Sequence, residues 1–232
     1  MIGIVSLNAC VDKTFYVDTL EKNTVKKSPE TFVQAGGKGI NVARVLKSLG
    51  DDVRIFTMLA GEQGQYIRFL LTEEELPYSS AFVPGQSRMY ITVMSDIGEQ
   101  LAIKEPGPEL NASQAELIRE GYLRFLDECK PDFLCICDTI PCKELVSFYP
   151  FAIQEAHNRG VPIFFDCDGE ALKQGLKAQP DYIKPNTEEY EEIFGTAQTA
   201  DCLRQLKALG IAHPILSQGE KGISFLEEDK VY

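Results

Sequence analysis

Two hydrophobic patterns alternate along the chain. Short apolar runs at residues 1–7, 53–59, 132–137, 162–166, 181–184 and 213–217 read as buried strands. Stretches of helical period lie between most of them. One starts at residues 66–71, after a turn at 61–64. In the next, Ser113 followed by Glu116 has the form of a capping box, and the helix runs to about Leu126. Residues 143–158 read as a helix stopped by Gly160, residues 187–194 as another, and residues 200–209 as a third stopped by Gly210. Strands and helices that alternate over short joins predict a mostly parallel sheet covered on both faces.

Some segments break that rhythm. Residues 14–17 and 25–33 alternate weakly and are rich in Thr, Val and Phe. Residues 80–83, 88–95 and 100–103 alternate as well, joined by turns at Pro84-Gly85 and Asp96-Ile97-Gly98. Together they predict a small antiparallel sheet standing off the main one, drawn from about residues 13–34 and 79–104.

Composition narrows the class. The 232 residues, 44% hydrophobic and 25% charged, suit one α/β domain with its own core. The net charge of −12 argues against nucleic acid as a partner but leaves room for a locally basic pocket. No apolar run is long enough to span a bilayer, and the amino terminus lacks a secretion pattern, so a cytoplasmic location is expected. Seven cysteines without Cys-x-x-Cys spacing, and only two histidines, read as reduced, mostly buried thiols rather than a metal site.

The chemistry concentrates in Ala35-Gly36-Gly37-Lys38-Gly39-Ile40-Asn41. Three glycines allow positive φ and close approach of a ligand. The stretch feeds a helix pattern at Ile40, Ala43, Leu46 and Leu49 that stops at Gly50. A glycine-rich turn at a helix N-terminus suits an anion. It is not a Walker A loop, because Gly39 rather than Ser or Thr follows Lys38, and the spacing is not that of the dinucleotide fingerprint. On spacing alone, a turn that merely packs a helix on a sheet explains it equally well. Asp12 stands just past the first strand, as a ligand-binding carboxylate or a turn cap. Arg88 is either a surface charge on a strand or a fork for a phosphate. The stretch Lys184-Pro185-Asn186-Thr187-Glu188-Glu189 is fully explained as a strand end, a proline turn and a helix cap.

The full strings go further. Gly36-Gly37-Lys38-Gly39-Ile40-Asn41-Val42-Ala43-Arg44 resembles the signature of the ribokinase superfamily, most closely its phosphofructokinase B branch. Asn8-Ala9-Cys10-Val11-Asp12 is similar to that family's Asn-Pro-Ala-x-Asp element. Asp166-Cys167-Asp168-Gly169 is similar to its Asp-x-x-Gly run, and Lys184-Pro185-Asn186-x-x-Glu189 to its Lys-Pro-Asn-x-x-Glu motif. Ser217-Gln218-Gly219-Glu220-Lys221-Gly222 resembles its Ser-x-Gly-x-x-Gly turn. The resemblance implies a ribokinase-like three-layer α/β fold with a small antiparallel β lid. It implies transfer of the γ-phosphoryl of ATP, with Mg2+, to a ketohexose phosphate of the fructose 1-phosphate or tagatose 6-phosphate type. Asp12, Gly36, Gly37 and Asn41 would hold sugar hydroxyls, and Lys38 and Arg88 the substrate phosphate. Lys184, Asn186, Ser217, Gly219 and Gly222 would border the nucleotide, with magnesium near Glu189 through water. The lid would let two chains pair as a homodimer.

The sequence departs from the family in places. The family's Gly-Ala-Gly-Asp, whose Asp is the general base, does not occur in the 232 residues. That reads as a carboxy-terminal truncation, with the base expected beyond Tyr232 and the chain inactive or impaired. The alternative reading is a catalytically dead sensor of sugar phosphate. The family's Ser-Gly-Ser-Leu-Pro appears as Cys137-Asp138-Thr139-Ile140-Pro141, so Asp138 brings a negative charge near the sugar pocket.

Overall fold

A computed structural model of the chain describes residues 1–195 and 198–232. The chain opens with β1 (Ile2–Ser6), β2 (Cys10–Val17), β3 (Glu30–Gly36), α1 (Lys38–Ser48), β4 (Val53–Ala60) and α2 (Gly61–Glu73). It continues through β5 (Tyr78–Val83), β6 (Arg88–Ser95), β7 (Gln100–Lys104), α3 (Ala112–Cys129), β8 (Phe133–Cys137) and α4 (Phe148–His157). Then follow β9 (Ile163–Asp166), α5 (Gly169–Leu176), β10 (Tyr182–Ile183), α6 (Thr187–Phe194), α7 (Thr199–Ala208) and β11 (His213–Ser217). Last come β12 (Ile223–Glu227) and β13 (Lys230–Val231).

The main sheet runs β13-β12-β11-β10-β9-β8-β1-β4-β5. From β11 to β5 every pairing is parallel, and β12 and β13 extend one edge antiparallel. Side chains alternate across the sheet, so the core is double. Ile4 and Ile55 pack with Ile40, Ala43, Ile67 and Leu71 under α1 and α2. Val5 and Phe56 pack with Ile118, Tyr122, Phe148 and Leu172 under α3, α4 and α5. The Tyr122 hydroxyl donates to Ala152 O at 2.8 Å, so this buried ring carries no unpaired polar atom.

The second sheet runs β3-β2-β6-β7. Its outer pairs are antiparallel, whereas β2 and β6 are parallel. Residues 80–83, expected in this lid, instead belong to β5, which pairs with β4 in the main sheet. The reason lies in the join: α2 returns the chain across the sheet, and a right-handed strand–helix–strand crossover sets β5 parallel beside β4.

Local chemistry moved three boundaries. α2 begins at Gly61, inside the stretch read as a turn. α3 is capped by Asn111, not Ser113: Asn111 Oδ1 accepts from Gln114 N at 3.0 Å, and Gln114 Oε1 accepts from Asn111 N at 2.8 Å. Ser113 instead donates its hydroxyl to Asn111 Oδ1 at 2.7 Å. The helix read over residues 143–158 divides into a 3-10 turn at Lys143–Leu145 and α4. Pro150 has no N–H to give, so the α-helix starts at Phe148 and keeps the proline in its first turn.

Seven parallel strands present their carboxyl ends along one edge, and α1 is pressed against the middle of it. A Cβ on Gly39 would stand 2.7 Å from Ser6 Cβ and 3.2 Å from Ile4 Cγ2. Glycine therefore sets the distance between α1 and β1. Gly39→Ala is expected to destabilise the fold by about 1–3 kcal/mol, the usual cost of overpacking a tight contact. Urea unfolding measures it, and an unchanged midpoint would mean that α1 is free to move away from β1.

Candidate active site

The edge formed by the carboxyl ends of β1, β8, β9, β10 and β11 collects most of the residues singled out in the sequence. β2 leaves this edge at Cys10 and carries Asp12 into the lid, beside Gly36 at the end of β3. The approach is close: a Cβ on Gly36 would lie 2.7 Å from Asp12 Cβ and 2.8 Å from Cys10 Sγ. Gln34 Nε2 donates to Asp12 Oδ2 at 3.4 Å. Arg88 opens β6 opposite Cys10, and its Nε donates to Asn8 O at 3.0 Å. The two terminal nitrogens of Arg88 make no hydrogen bond among the described residues, so its fork is available to a ligand. Asp12, Gly36, Gly37 and Arg88 thus converge beneath the lid.

Gly37, at φ 128, is the residue before α1 and supplies no cap of its own. The cap comes from across the sheet. Asp138 follows β8, and its Oδ1 accepts from Lys38 N at 2.8 Å while Ser6 Oγ donates to Oδ2. The backbone of Asp138 sits at φ 104, a region that favours glycine. Its side chain is buried. Burial pushes the Asp138 carboxyl up, against the opposing pull of Ser6, the Lys38 N–H and Arg88.

Lys38 turns away from Arg88. Its Nζ lies 3.2 Å from Asp166 Oδ1 and 3.3 Å from Asp166 O, at the end of β9. On the other side of the same carboxylate, Lys184 Nζ stands 3.4 Å from Asp166 Oδ2. Burial pulls the Lys38 ammonium pKa down, and the Asp166 and Glu189 carboxylates more than restore it, so the net shift is upward. Asn41, one turn into α1, is exposed and accepts from Arg44 Nη1 at 2.7 Å through Oδ1.

Beyond Lys184, Asn186 caps α6 in a complete capping box. Its Oδ1 accepts from Glu189 N at 2.8 Å, and Glu189 Oε2 accepts from Asn186 N at 2.8 Å. One Glu189 oxygen is therefore engaged in the cap. Asn186 bridges to Ser217 at the end of β11. Asn186, Thr187, Ser217, Gly219 and Lys221 line an open cleft of about 410 Å3. Gly219 at φ 60 and Gly222 at φ 89 make the turn that walls it. A larger hollow of about 560 Å3 opens at the opposite edge, among Leu126, Lys130, Pro131 and Arg159, and holds none of the candidate residues.

Two participants were not among the candidates read from sequence. Asp166 joins the two halves of the site; it was named only as the first residue of the Asp-x-x-Gly run, without a role of its own. Ser6 gave no signal, because a small polar residue inside a buried strand looks like core. The thiols behave as expected. Cys10, Cys135, Cys137, Cys167 and Cys202 are buried, and burial raises Cys10 to about 11 and Cys135 to about 12. Burial disfavours the reactive thiolate in each of them.

The family model for pfkB family carbohydrate kinases matches residues 2–232. Among solved structures, phosphofructokinase-2 from Escherichia coli in complex with fructose-6-phosphate superposes with a TM-score of 0.88 at 21% identity, covering 100% of this chain and 78% of that one. The tetrameric inhibited form of the same enzyme gives a TM-score of 0.86 at 21% identity, with the same coverage of both chains, 100% and 78%. A possible 1-phosphofructokinase from Thermotoga maritima gives 0.87 at 21% identity, covering 99% of this chain and 75% of that one. At such identities the superpositions speak for the fold.

Removing the shared carboxylate tests the link between the halves. Asp166→Asn would leave two lysines facing each other. Both side chains are about one-third exposed, at 35% and 30%. The expected loss is therefore about 1–3 kcal/mol, between an exposed pair and a buried one. A raised lysine contributes stability that is present below its ordinary 10.5 and fades as pH climbs through the folded value. The gap between wild type and variant in urea unfolding is thus expected to hold from neutral pH to about 10 and to narrow above it. A gap that is absent at pH 7 would contradict the ion pair.

Proposed function

The chain belongs to the pfkB family of carbohydrate kinases, phosphotransferases that act on sugar hydroxyls, and on that premise we propose that its acceptor is a ketohexose phosphate of the fructose 1-phosphate or tagatose 6-phosphate type. The observation that carries the reading is the Lys38–Asp166–Lys184 relay. It ties the glycine turn beside the lid to the strand ends next to the open cleft at Ser217 and Gly219.

In this reading Asp12, the Gly36-Gly37 turn and Asn41 hold sugar hydroxyls, and Arg88 holds the substrate phosphate with the two nitrogens left free by its bond to Asn8. Lys38 neutralises charge between the two ligands rather than clamping the sugar phosphate directly. Lys184, Asn186, Ser217, Gly219 and Gly222 border ATP. The donor set suits the nucleotide: glycines at positive φ admit phosphate oxygens close to the backbone. A magnesium ion would offset the charge of the phosphates. Glu189 retains one uncommitted oxygen and would meet it through water. Phosphoryl transfer asks a protein chiefly for position and charge compensation, and these residues supply both.

No residue of the 232 is assigned as general base. The Gly-Ala-Gly-Asp motif is not among them, and Asp166 is committed to two lysines. A positioned base is typically worth ~10²–10⁴ in rate. A second reading, a sensor that binds and does not transfer, draws on Asp138, whose charge occupies the α1 N-terminus. Pairing of two chains through the lid is part of the proposal. Phe32 and Ile103 leave about half of their surface exposed there, at 51% and 54%.

Titration calorimetry with fructose 1-phosphate and ATP tests the assignment. Arg88→Ala is expected to weaken the sugar phosphate by about 10- to 100-fold, the worth of charge-assisted hydrogen bonds, and to leave ATP within about twofold. Equal losses for both ligands would remove Arg88 from the phosphate clamp.

A further inference from the structure

The N-terminus of α1 has an occupant from within the chain. Asp138 reaches it from the end of β8, accepts from the first helical N–H at 2.8 Å, and holds Ser6 with its other oxygen. The carboxylate is buried and lies 3.6 Å from where a Cβ on Gly37 would stand. The amide that would meet an incoming anion is spent. The positive end of the helix dipole faces a carboxylate whose two oxygens both accept hydrogen bonds. Arg88 and Lys38 both lie close enough to act on it, and Lys104 joins Arg88 near Cys10. Asp12 adds a second carboxylate beside Gly36. Lys38 Nζ is paired with Asp166, so the two acids beside the glycine turn stand against Arg88 and Lys104.

We propose that Asp138 is a specificity-determining residue: it offsets the anion affinity of the Gly36-Gly37 turn, so that the pocket holds a ketohexose phosphate less tightly than Arg88 alone would allow and narrows its margin over the free ketohexose. This rests on the sugar-kinase reading above and names what the site accepts. Hydroxyls donate to carboxylates and gain from an acidic floor, whereas a phosphate is repelled by it. Asp138 acts on the ligand through the turn it caps and through its charge, without touching the sugar.

The experiment compares fructose with fructose 1-phosphate by titration calorimetry against wild type, Asp138→Asn and Ser6→Ala. Asn keeps an oxygen acceptor for Lys38 N and removes the charge. Wild type is expected to bind the two ligands within about tenfold of each other. Asp138→Asn is expected to tighten the phosphate ester about tenfold or more and to move fructose by less than about threefold, as loss of a like charge affects only the anion. Ser6→Ala, which leaves the charge in place, is expected to keep the wild-type ratio. Should Asp138→Asn fold poorly, Asp138→Gly serves, since φ 104 suits glycine. Parallel changes for both ligands in Asp138→Asn would overturn the inference and leave the sugar-phosphate kinase reading standing. A ratio that shifts as much in Ser6→Ala would assign the effect to pocket shape and also overturn it. Binding of ATP with neither sugar bound by any of the proteins would refute the sugar-kinase reading, and the inference with it.

Discussion

The contact between Gly39 and Ser6 governs the arrangement of this molecule's working edge. A helix packs this close to a strand only where one side has no side chain, and a Cβ at Gly39 would stand 2.7 Å from Ser6 Cβ. Because α1 sits so low on β1, the first N–H of the helix falls within reach of Asp138 at the end of the neighbouring strand β8. The same placement lets Lys38 stretch past β8 to Asp166 at the end of β9. The glycine turn is thus tied to two strands it does not belong to. Its position is fixed by the sheet rather than by the loop around it, which is how a site on a connection acquires the precision of a rigid element.

Charge is distributed unevenly over that edge. On the side of β9, β10 and β11, Asp166 is shared by Lys38 and Lys184, and the Asn186 and Ser217 turns offer backbone and small polar groups to an anion. Beside the lid, Asp138 is met by Ser6, the Lys38 N–H and the charges of Arg88 and Lys38, and Asp12 stands next to Gly36. A chain with a net charge of −12 can still bind a polyphosphate in the first region, because local fields outweigh the global sum at short range. In the proposed reading the second region meets hydroxyl donors, and Arg88 would hold the phosphate ester.

Much of this was legible in the sequence, for physical reasons. Buried parallel strands such as β1, β4 and β8 are apolar on both faces and are hard to mistake. Gly50, Gly160 and Gly210 marked helix ends because each takes a positive φ there. The lid was legible as a departure from helix–strand rhythm, but Tyr78–Val83 was not separable from it, since alternation alone does not tell a partly exposed edge strand of the main sheet from a lid strand. The cap of α3 was misplaced by two residues because Ser113 and Asn111 both have capping side chains, and only backbone geometry chooses between them. The glycine turn, Asp12, Arg88 and the Lys184–Glu189 motif were visible as strings. The link between them was not: Lys38 and Asp166 are 128 positions apart, and no local pattern announces an ion pair of that separation. Asp138 was visible as a residue out of place, but its partner Ser6 was hidden inside a strand pattern.

In the proposed function, one edge of the sheet holds a sugar phosphate and a nucleotide side by side, divided by Lys38 and Asp166. A crystal structure of the chain with fructose 1-phosphate and a non-hydrolysable ATP analogue tests it most directly. The account predicts sugar hydroxyls on Asp12 and the Gly36-Gly37 turn, the ester phosphate on Arg88, and the triphosphate along Lys184, Ser217 and Gly219. A sugar phosphate seated outside the lid, or a triphosphate bound at Arg88, would contradict it.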